Sequence, residues 1–221
     1  REDFAGTSAA AVEWVRSGDD RHAWAVDFDA EVLEWGRRRH IEPLTAAQQQ
    51  RIQQIEGDVL EVNTPLADII IGFNFSYFTF KTRDELRGYF ERARRNLKPD
   101  GLLFVDCFGG SEAYEEVEEE TDLDGFTYVW DQDDFDPVSS QMHCHIHFDF
   151  PDGTKMRPAF SYEWRLWTLP EIRELLKEAG FSSSTVYWEG TDEDGEGDGE
   201  FEPVSRGEAD PAWIAYIVAE R

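Results

Sequence analysis

The stretch ADIIIGFNFSYFTFKTRDELRGYFERARRNLKPDGLLFVDCF, residues 67–108, holds two apolar runs separated by a helix with its own start and stop signals. Ile69, Ile70 and Ile71 are entered through Asp68 and left through Gly72, the pattern of a short strand buried on both faces. Thr82 and Glu85 then stand at capping-box spacing, and Leu86, Tyr89, Phe90, Ala93 and Leu97 fall on one helical face. KPDG stops that helix, and LLFVDCF at 102–108 supplies a second apolar strand ending at Gly109 and Gly110. A strand, a helix and a strand with no hairpin between them predict parallel pairing through a crossover.

The same rhythm extends upstream. SAAAVEWVRS at 8–17 predicts a helix closed by Gly18, and HAWAVDF at 22–28 a buried strand ending near Asp27. Asp29 can cap a helix AEVLEWGRRRH at 30–40, and IQQIEGDVLEV at 52–62 gives another strand signal with Asp58 at its turn. The opening REDFAGTSAA reads as the small-residue turn between a buried strand and a helix, its strand reduced to a stub. After Gly110 the pattern changes. SEAYEEVEEE at 111–120 predicts an acidic helix, followed by three β-like runs at 125–130, 141–150 and 156–167. PDGT at 151–154 signals a turn, with Asp152, Gly153 and Thr154 as its loop. Pairing Phe150 with Met156 places Met142, Cys144, Ile146 and Phe148 beside Trp164, Tyr162, Phe160 and Pro158 on one apolar face, with His143, His145, His147, Glu163 and Arg165 opposite. Thr168 and Glu171 form a second capping box for a helix at 169–180, and the chain closes with a hairpin whose acidic, glycine-rich connection at about 191–210 is expected to be disordered.

The expected fold class is α/β, a Rossmann-like, mostly parallel sheet with helices on both faces, an antiparallel terminal hairpin and a small antiparallel β-insert. Residues 1–110 form the α/β core, 111–167 the insert and 168–221 the part that completes the core. The chain has 48 Asp and Glu against 21 Lys and Arg, a net charge of -27, which argues against nucleic acid and anionic membranes as partners. A scarcity of lysine beside plentiful acids is the surface chemistry of a salt-rich cytoplasm. Cys107 and Cys144 lie in separate apolar runs and are read as buried thiols. Nothing in the sequence signals secretion or a membrane span, so a cytoplasmic monomer or homodimer is expected.

Glu2 or Asp3, Asp27 and Asp58 each stand near the C-terminal end of a candidate parallel strand, where open α/β sheets bind ligands. Asp27 suits a ribose diol and Asp58 an adenine amino group, although any one of these acids alone also serves as a capping residue. Taken in order, EDFAGTS, AVDFD, EGDVLEV, ADIIIGFNFSYF, NLKPDGLLFVDCF and WTLPEIRELLKEAGF resemble the motifs of the class I S-adenosylmethionine-dependent methyltransferases, in particular the small-molecule branch acting on glycine or amino sugars. The first motif departs from acid-x-Gly-x-Gly-x-Gly, keeping only Gly6. The resemblance implies S-adenosylmethionine as cofactor, held by Glu2, Phe4, Ala5, Gly6, Thr7, Asp27, Phe28, Asp58, Val59, Phe73 and Asn74. It also implies methyl transfer to a small-molecule acceptor at nitrogen, driven by positioning and desolvation. Tyr77, Tyr162, Trp164, Arg165 and Trp167 are the candidate acceptor residues, and His143, Tyr77 and Glu163 the candidate catalytic ones. Three histidines on one strand face could hold zinc, but the same alternation describes any half-exposed strand, and no metal is assigned. A nicotinamide-dependent oxidoreductase is one alternative, disfavoured by the missing glycines and the antiparallel ending; a non-catalytic cofactor-binding relative is the other.

Overall fold

The computed structural model describes residues 1–191 and 197–221. Its larger sheet has eight strands: β1 (Glu2–Asp3), β2 (Ala23–Asp27), β3 (Ile52–Glu56), β4 (Ala67–Gly72), β5 (Leu97–Gly109), β10 (Ser183–Thr191), β11 (Gly197–Val204) and β12 (Trp213–Glu220). They are ordered β11-β10-β12-β5-β4-β1-β2-β3, with β1 to β5 parallel and β12 antiparallel to β5. Although β1 has only two residues, it is the middle one of the five parallel strands, Glu2 facing both Ala25 and Ile71. The order reverses on the two sides of β1 and β4, which opens a crevice beyond the C-terminal strand ends.

Helices α1 (Ala9–Arg16), α2 (Ala30–Gly36), α3 (Ala46–Gln49), α4 (Arg83–Asn96) and α5 (Leu169–Glu178) join these strands. Both expected capping boxes, Thr82 with Glu85 and Thr168 with Glu171, are formed, and Thr45 with Gln48 adds a third at α3. The α4 stripe buries Leu86, Tyr89, Phe90 and Ala93 in the main core with Ile70, Leu103 and Val105. The helix expected over 30–40 stays α-helical only to Gly36 and continues as a π-turn, Arg37–Ile41.

The second sheet is antiparallel, ordered β6 (Val117–Leu123), β7 (Phe126–Asp136), β8 (Gln141–Asp149) and β9 (Lys155–Arg165). Three expectations are corrected by the two sheets. Residues 111–120 are not a helix: a 3-10 turn at Glu112–Tyr114 leads into β6, whose backbone is paired along its length with β7. Ladder hydrogen bonds from tertiary pairing outweigh the modest helix preference of glutamate. The β8–β9 register is as expected from Met142–Trp164 to Ile146–Phe160, then slips, so that Phe148 faces Met156 and not Pro158. Pro158 has no N–H to give to the ladder, and the irregularity falls beside it. Third, Gly197–Val204 is not a loop but an edge strand on β10, while residues 192–196 of the expected disordered connection lie outside the described residues.

Candidate active site

Two hollows lie along the C-terminal edge of the parallel strands, one beyond β1, β2 and β3 and one beyond β5 and β12. The turn from β1 into α1 builds the first. Phe4, Gly6 and Ser8 have φ of 56°, 50° and 61°, so the three positions that glycines fill in the acid-x-Gly-x-Gly-x-Gly pattern keep the left-handed backbone even where the residue is Phe or Ser. Two of these carry side chains at about 1–2 kcal/mol of strain each, which the surroundings must offset. They do so by packing: the Phe4 ring lies 5.4 Å from Tyr89 and 6.1 Å from Phe80, and Ser8 is fully buried, its Oγ accepting from Gln54 Nε2 at 2.9 Å. Ala5 N–H donates to the Val26 carbonyl, Gly6 N–H donates to Asp27 Oδ2 at 2.7 Å, and Asp29 N–H donates to Oδ1 at 2.9 Å. Gly36 closes the turn from outside, since a Cβ there would stand 2.3 Å from the Thr7 carbonyl oxygen.

This turn borders a cavity of about 210 Å³ lined by Phe4, Asp27, Phe28, Asp58, Val59, Thr79 and Phe80. Asp27 is thus joined with Asp58, Val59 and Phe28, the last an exposed ring. Each Asp27 oxygen accepts one backbone N–H and has a lone pair left. Asp58 Oδ1 accepts from Leu60 N–H, and no described group donates to its Oδ2. The cavity therefore presents acceptors to a ligand whose polar edges are donors, as the diol and amino group of an adenosine are. Arg1 braces the far wall: its guanidinium pairs with buried Asp3 at 2.6 Å and donates to the carbonyls of Val59 and Val62.

Other expected cofactor residues lie elsewhere. Glu2 turns to the opposite side, accepting from Ala11 N–H at 2.8 Å, and burial raises its carboxyl to about 7. The Phe73 ring packs on Tyr216. Asn74 and Phe75, with φ of 58° and 55°, form a double left-handed turn held by both oxygens of Asp106, at 2.6 and 2.9 Å. Burial raises Asp106 from 3.8 to about 6. Sequence reasoning missed Asp106; an acid inside the apolar run LLFVDCF was the available signal.

Beyond this turn lies a second hollow, a cleft of about 440 Å³ between the ends of β5 and β12 and the inner face of β6 and β7. Phe75, Phe108 and Trp213 make its floor and Tyr128 and Trp130 its ceiling. Glu112, Glu119 and Glu189 line it, and no Lys, Arg or His does among the described residues. Gln132, only 6% exposed, gives both amide hydrogens to the carbonyls of Glu112 and Glu115 at 2.9 Å. Those two acceptors fix the amide orientation and leave Oε1 without a donor among the described residues. Gln132 was also missed, although it continues the alternation Phe126, Tyr128, Trp130.

The expected acceptor and catalytic residues do not reach this cleft. Tyr77 is fully buried and donates to the Asp106 carbonyl at 2.6 Å, so it is a core residue. Trp167 is buried too and donates its N–H to Phe80 O. Arg165 lies over the Trp167 ring at 3.8 Å and binds Lys81 O and Glu171. Trp164 and Tyr162 stack behind Trp130. His143 and Glu163 pair in register as expected, but on the outer face, where Glu163 binds Lys81 at 2.9 Å. On that face His143, His145 and His147 each approach an aspartate of β7, at 3.9, 3.8 and 3.0 Å.

Residues 4–105 match the family described as a methyltransferase domain. No curated protein matches the sequence. Among solved structures, the chain is similar to the CcbJ methyltransferase from Streptomyces caelestis, with TM-score 0.73 and 16% identity over 99% of this chain and 81% of that one. It is also similar to S-adenosylmethionine-bound CalS10, an amino pentose methyltransferase from Micromonospora echinaspora, with TM-score 0.65 and 14% identity over 100% and 81%. A third is the glycopeptide N-methyltransferase MtfA in complex with S-adenosyl-L-homocysteine, with TM-score 0.62 and 17% identity over 99% and 79%. At these identities the likeness is one of fold.

Proposed function

We propose that this chain, an S-adenosylmethionine-dependent methyltransferase by its matched domain and its fold, methylates a nitrogen of a small molecule bound in the 440 Å³ cleft. When bound, S-adenosylmethionine supplies a methyl group on a cationic sulfonium. Asp27 and Asp58 would accept from its ribose hydroxyls and adenine amino group, with Phe28 and Val59 against the ring, and the Phe4–Ser8 turn gives its backbone to the rest. The donor–acceptor match of the first cavity supports this placement.

The observation that carries the choice of nitrogen is the character of the cleft: three carboxylates, a Gln132 Oε1 without a donor and aromatic walls, with no cationic side chain, among the described residues. A protonated amine supplies both the N–H donors and the charge that such walls attract. An ammonium must lose a proton before its lone pair can attack, and Glu112, Glu119 and Glu189 are the side chains there that can accept it. Positioning and exclusion of water then supply most of the acceleration. CalS10 and MtfA, named for an amino pentose and a glycopeptide nitrogen, agree with this reading.

Calorimetry with S-adenosyl-L-homocysteine and NAD, followed by methyl transfer from labelled donor to panels of amines, alcohols and carboxylates, tests it. The expected result is binding of the first ligand alone and labelling of amines, with KM raised at least tenfold in Gln132→Leu. Labelling of hydroxyl or carboxyl acceptors in preference to amines overturns the nitrogen assignment.

A further inference from the structure

The acceptor cleft does not end where its carboxylates do. Its ceiling is the inner face of the second sheet, and the strand register orders that face in rows. Outward from Phe135 and the buried Met142 and Trp164, the rows are Val117, Gln132, Cys144 and Tyr162, followed by Glu119, Trp130, Ile146 and Phe160. The next two rows, Thr121, Tyr128, Phe148 and Met156, then Leu123 and Phe126, carry no charge. The rings there contact one another, Phe148 lying 5.5 Å from Phe126, 6.2 Å from Tyr128 and 6.3 Å from Phe160. Even so, Phe160 is 54% exposed and Met156 and Leu123 are 50% exposed. Several large apolar side chains in one contiguous surface mark an interaction site rather than chance exposure.

Two observations identify the occupant. The face is continuous with the cleft, because Tyr128 lines the cleft and is paired with Phe148 on the outer rows. The charge pattern along it is that of an amphiphile's binding site, with Gln132 and Glu119 at the inner end and apolar rings at the outer end. A second copy of this chain is a poorer partner, since each brings a net charge of -27. Resting on the amine-acceptor reading above, we infer that the acceptor is a cationic amphiphile: its amine enters the carboxylate end of the cleft while its apolar remainder lies over Tyr128, Phe148, Met156 and Phe160.

The full chain saturated with S-adenosyl-L-homocysteine is titrated with n-propylamine and n-decylamine below micelle-forming concentrations. Burial of the longer chain should tighten binding at least thirtyfold. Phe160→Ser and Met156→Ser, both at half-exposed positions, should reduce that gain to less than threefold while leaving propylamine affinity unchanged. Val138→Ser, at a 93% exposed apolar residue outside this face, should leave the gain intact. Propylamine binding with no gain for decylamine, or a gain untouched by Phe160→Ser, overturns the inference alone. Failure of both amines on the homocysteine-bound protein overturns the amine reading and the inference with it, and failure of S-adenosyl-L-homocysteine itself overturns the site. Sedimentation showing a dimer that Phe160→Ser dissolves assigns the face to a second copy and refutes the amphiphile.

Discussion

Replacing Gly36 with alanine sets helix propensity against packing. Gly36 closes α2 with φ -60° and ψ -41°, an ordinary helical conformation in which alanine is favoured over glycine by about 1 kcal/mol. A Cβ at that position, however, would lie 2.3 Å from the Thr7 carbonyl oxygen, 2.6 Å from its carbon and 2.7 Å from its Cα. Carbon contacts settle near about 3.5–4.0 Å, so helix and turn must separate by about 1 Å. Thr7 cannot yield freely, because it lies between Gly6, whose N–H is held by Asp27, and fully buried Ser8. Overpacking of this kind costs about 1–3 kcal/mol. Packing offsets the propensity gain and exceeds it by up to about 2 kcal/mol, so Gly36→Ala should lower the melting temperature by up to about 8 °C. It should also weaken S-adenosyl-L-homocysteine binding at least tenfold, because the displaced turn forms the cavity edge. Gly88, within α4, is the control: its Cβ would meet nothing within 4 Å, so Gly88→Ala should raise the melting temperature by about 2–4 °C with affinity unchanged. Scanning calorimetry and isothermal titration measure both effects. A Gly36→Ala protein that melts higher than the parent and binds as well would refute the steric account of the turn.

Asp27→Ala removes the acceptor of the Gly6 and Asp29 amides and the proposed ribose ligand, so titration should show S-adenosyl-L-homocysteine binding weakened more than tenfold; unchanged affinity counts against the ribose assignment. Burial lifts Asp106 from 3.8 to about 6, so its contribution to stability is full below about pH 4 and is lost as pH rises through 6. At about 1.4 kcal/mol per pH unit that amounts to about 3 kcal/mol, with buried Glu2 acting in the same direction; urea unfolding that is no weaker at about pH 8 than at about pH 4 contradicts it. Arg165→Lys should lower the melting temperature while leaving acceptor KM unchanged, because the guanidinium stacks on Trp167 and binds Glu171 away from the cleft; a raised KM with normal melting returns Arg165 to acceptor binding. With 48 acids against 21 bases, raising KCl from about 0.1 to about 2 M should raise the melting temperature, and a fall refutes self-repulsion as a destabilising term.

Much of this molecule was legible from the order of its residues. The alternation of apolar runs and capped helices determined the parallel sheet, because strand and helix periods, Thr–Glu caps and stop signals are local properties of the chain. The positions of Asp27 and Asp58 were legible for the same reason: an acid at the end of a buried strand has few places to point. Local rules failed where partners far along the chain decided the outcome. Residues 117–123 became a strand because β7 offered a ladder of backbone partners, and β8 slipped against β9 where Pro158 interrupts donation. The sequence departed from the glycine pattern at Phe4 and Ser8, yet their backbone stayed left-handed, because aromatic packing and a buried hydrogen bond offset the strain. The proposed acceptor cleft belonged to the tertiary structure alone. Phe75, Gln132, Glu189 and Trp213 are separated by 24 to 57 residues in successive steps, and what each side chain faces was decided only when the two sheets came together.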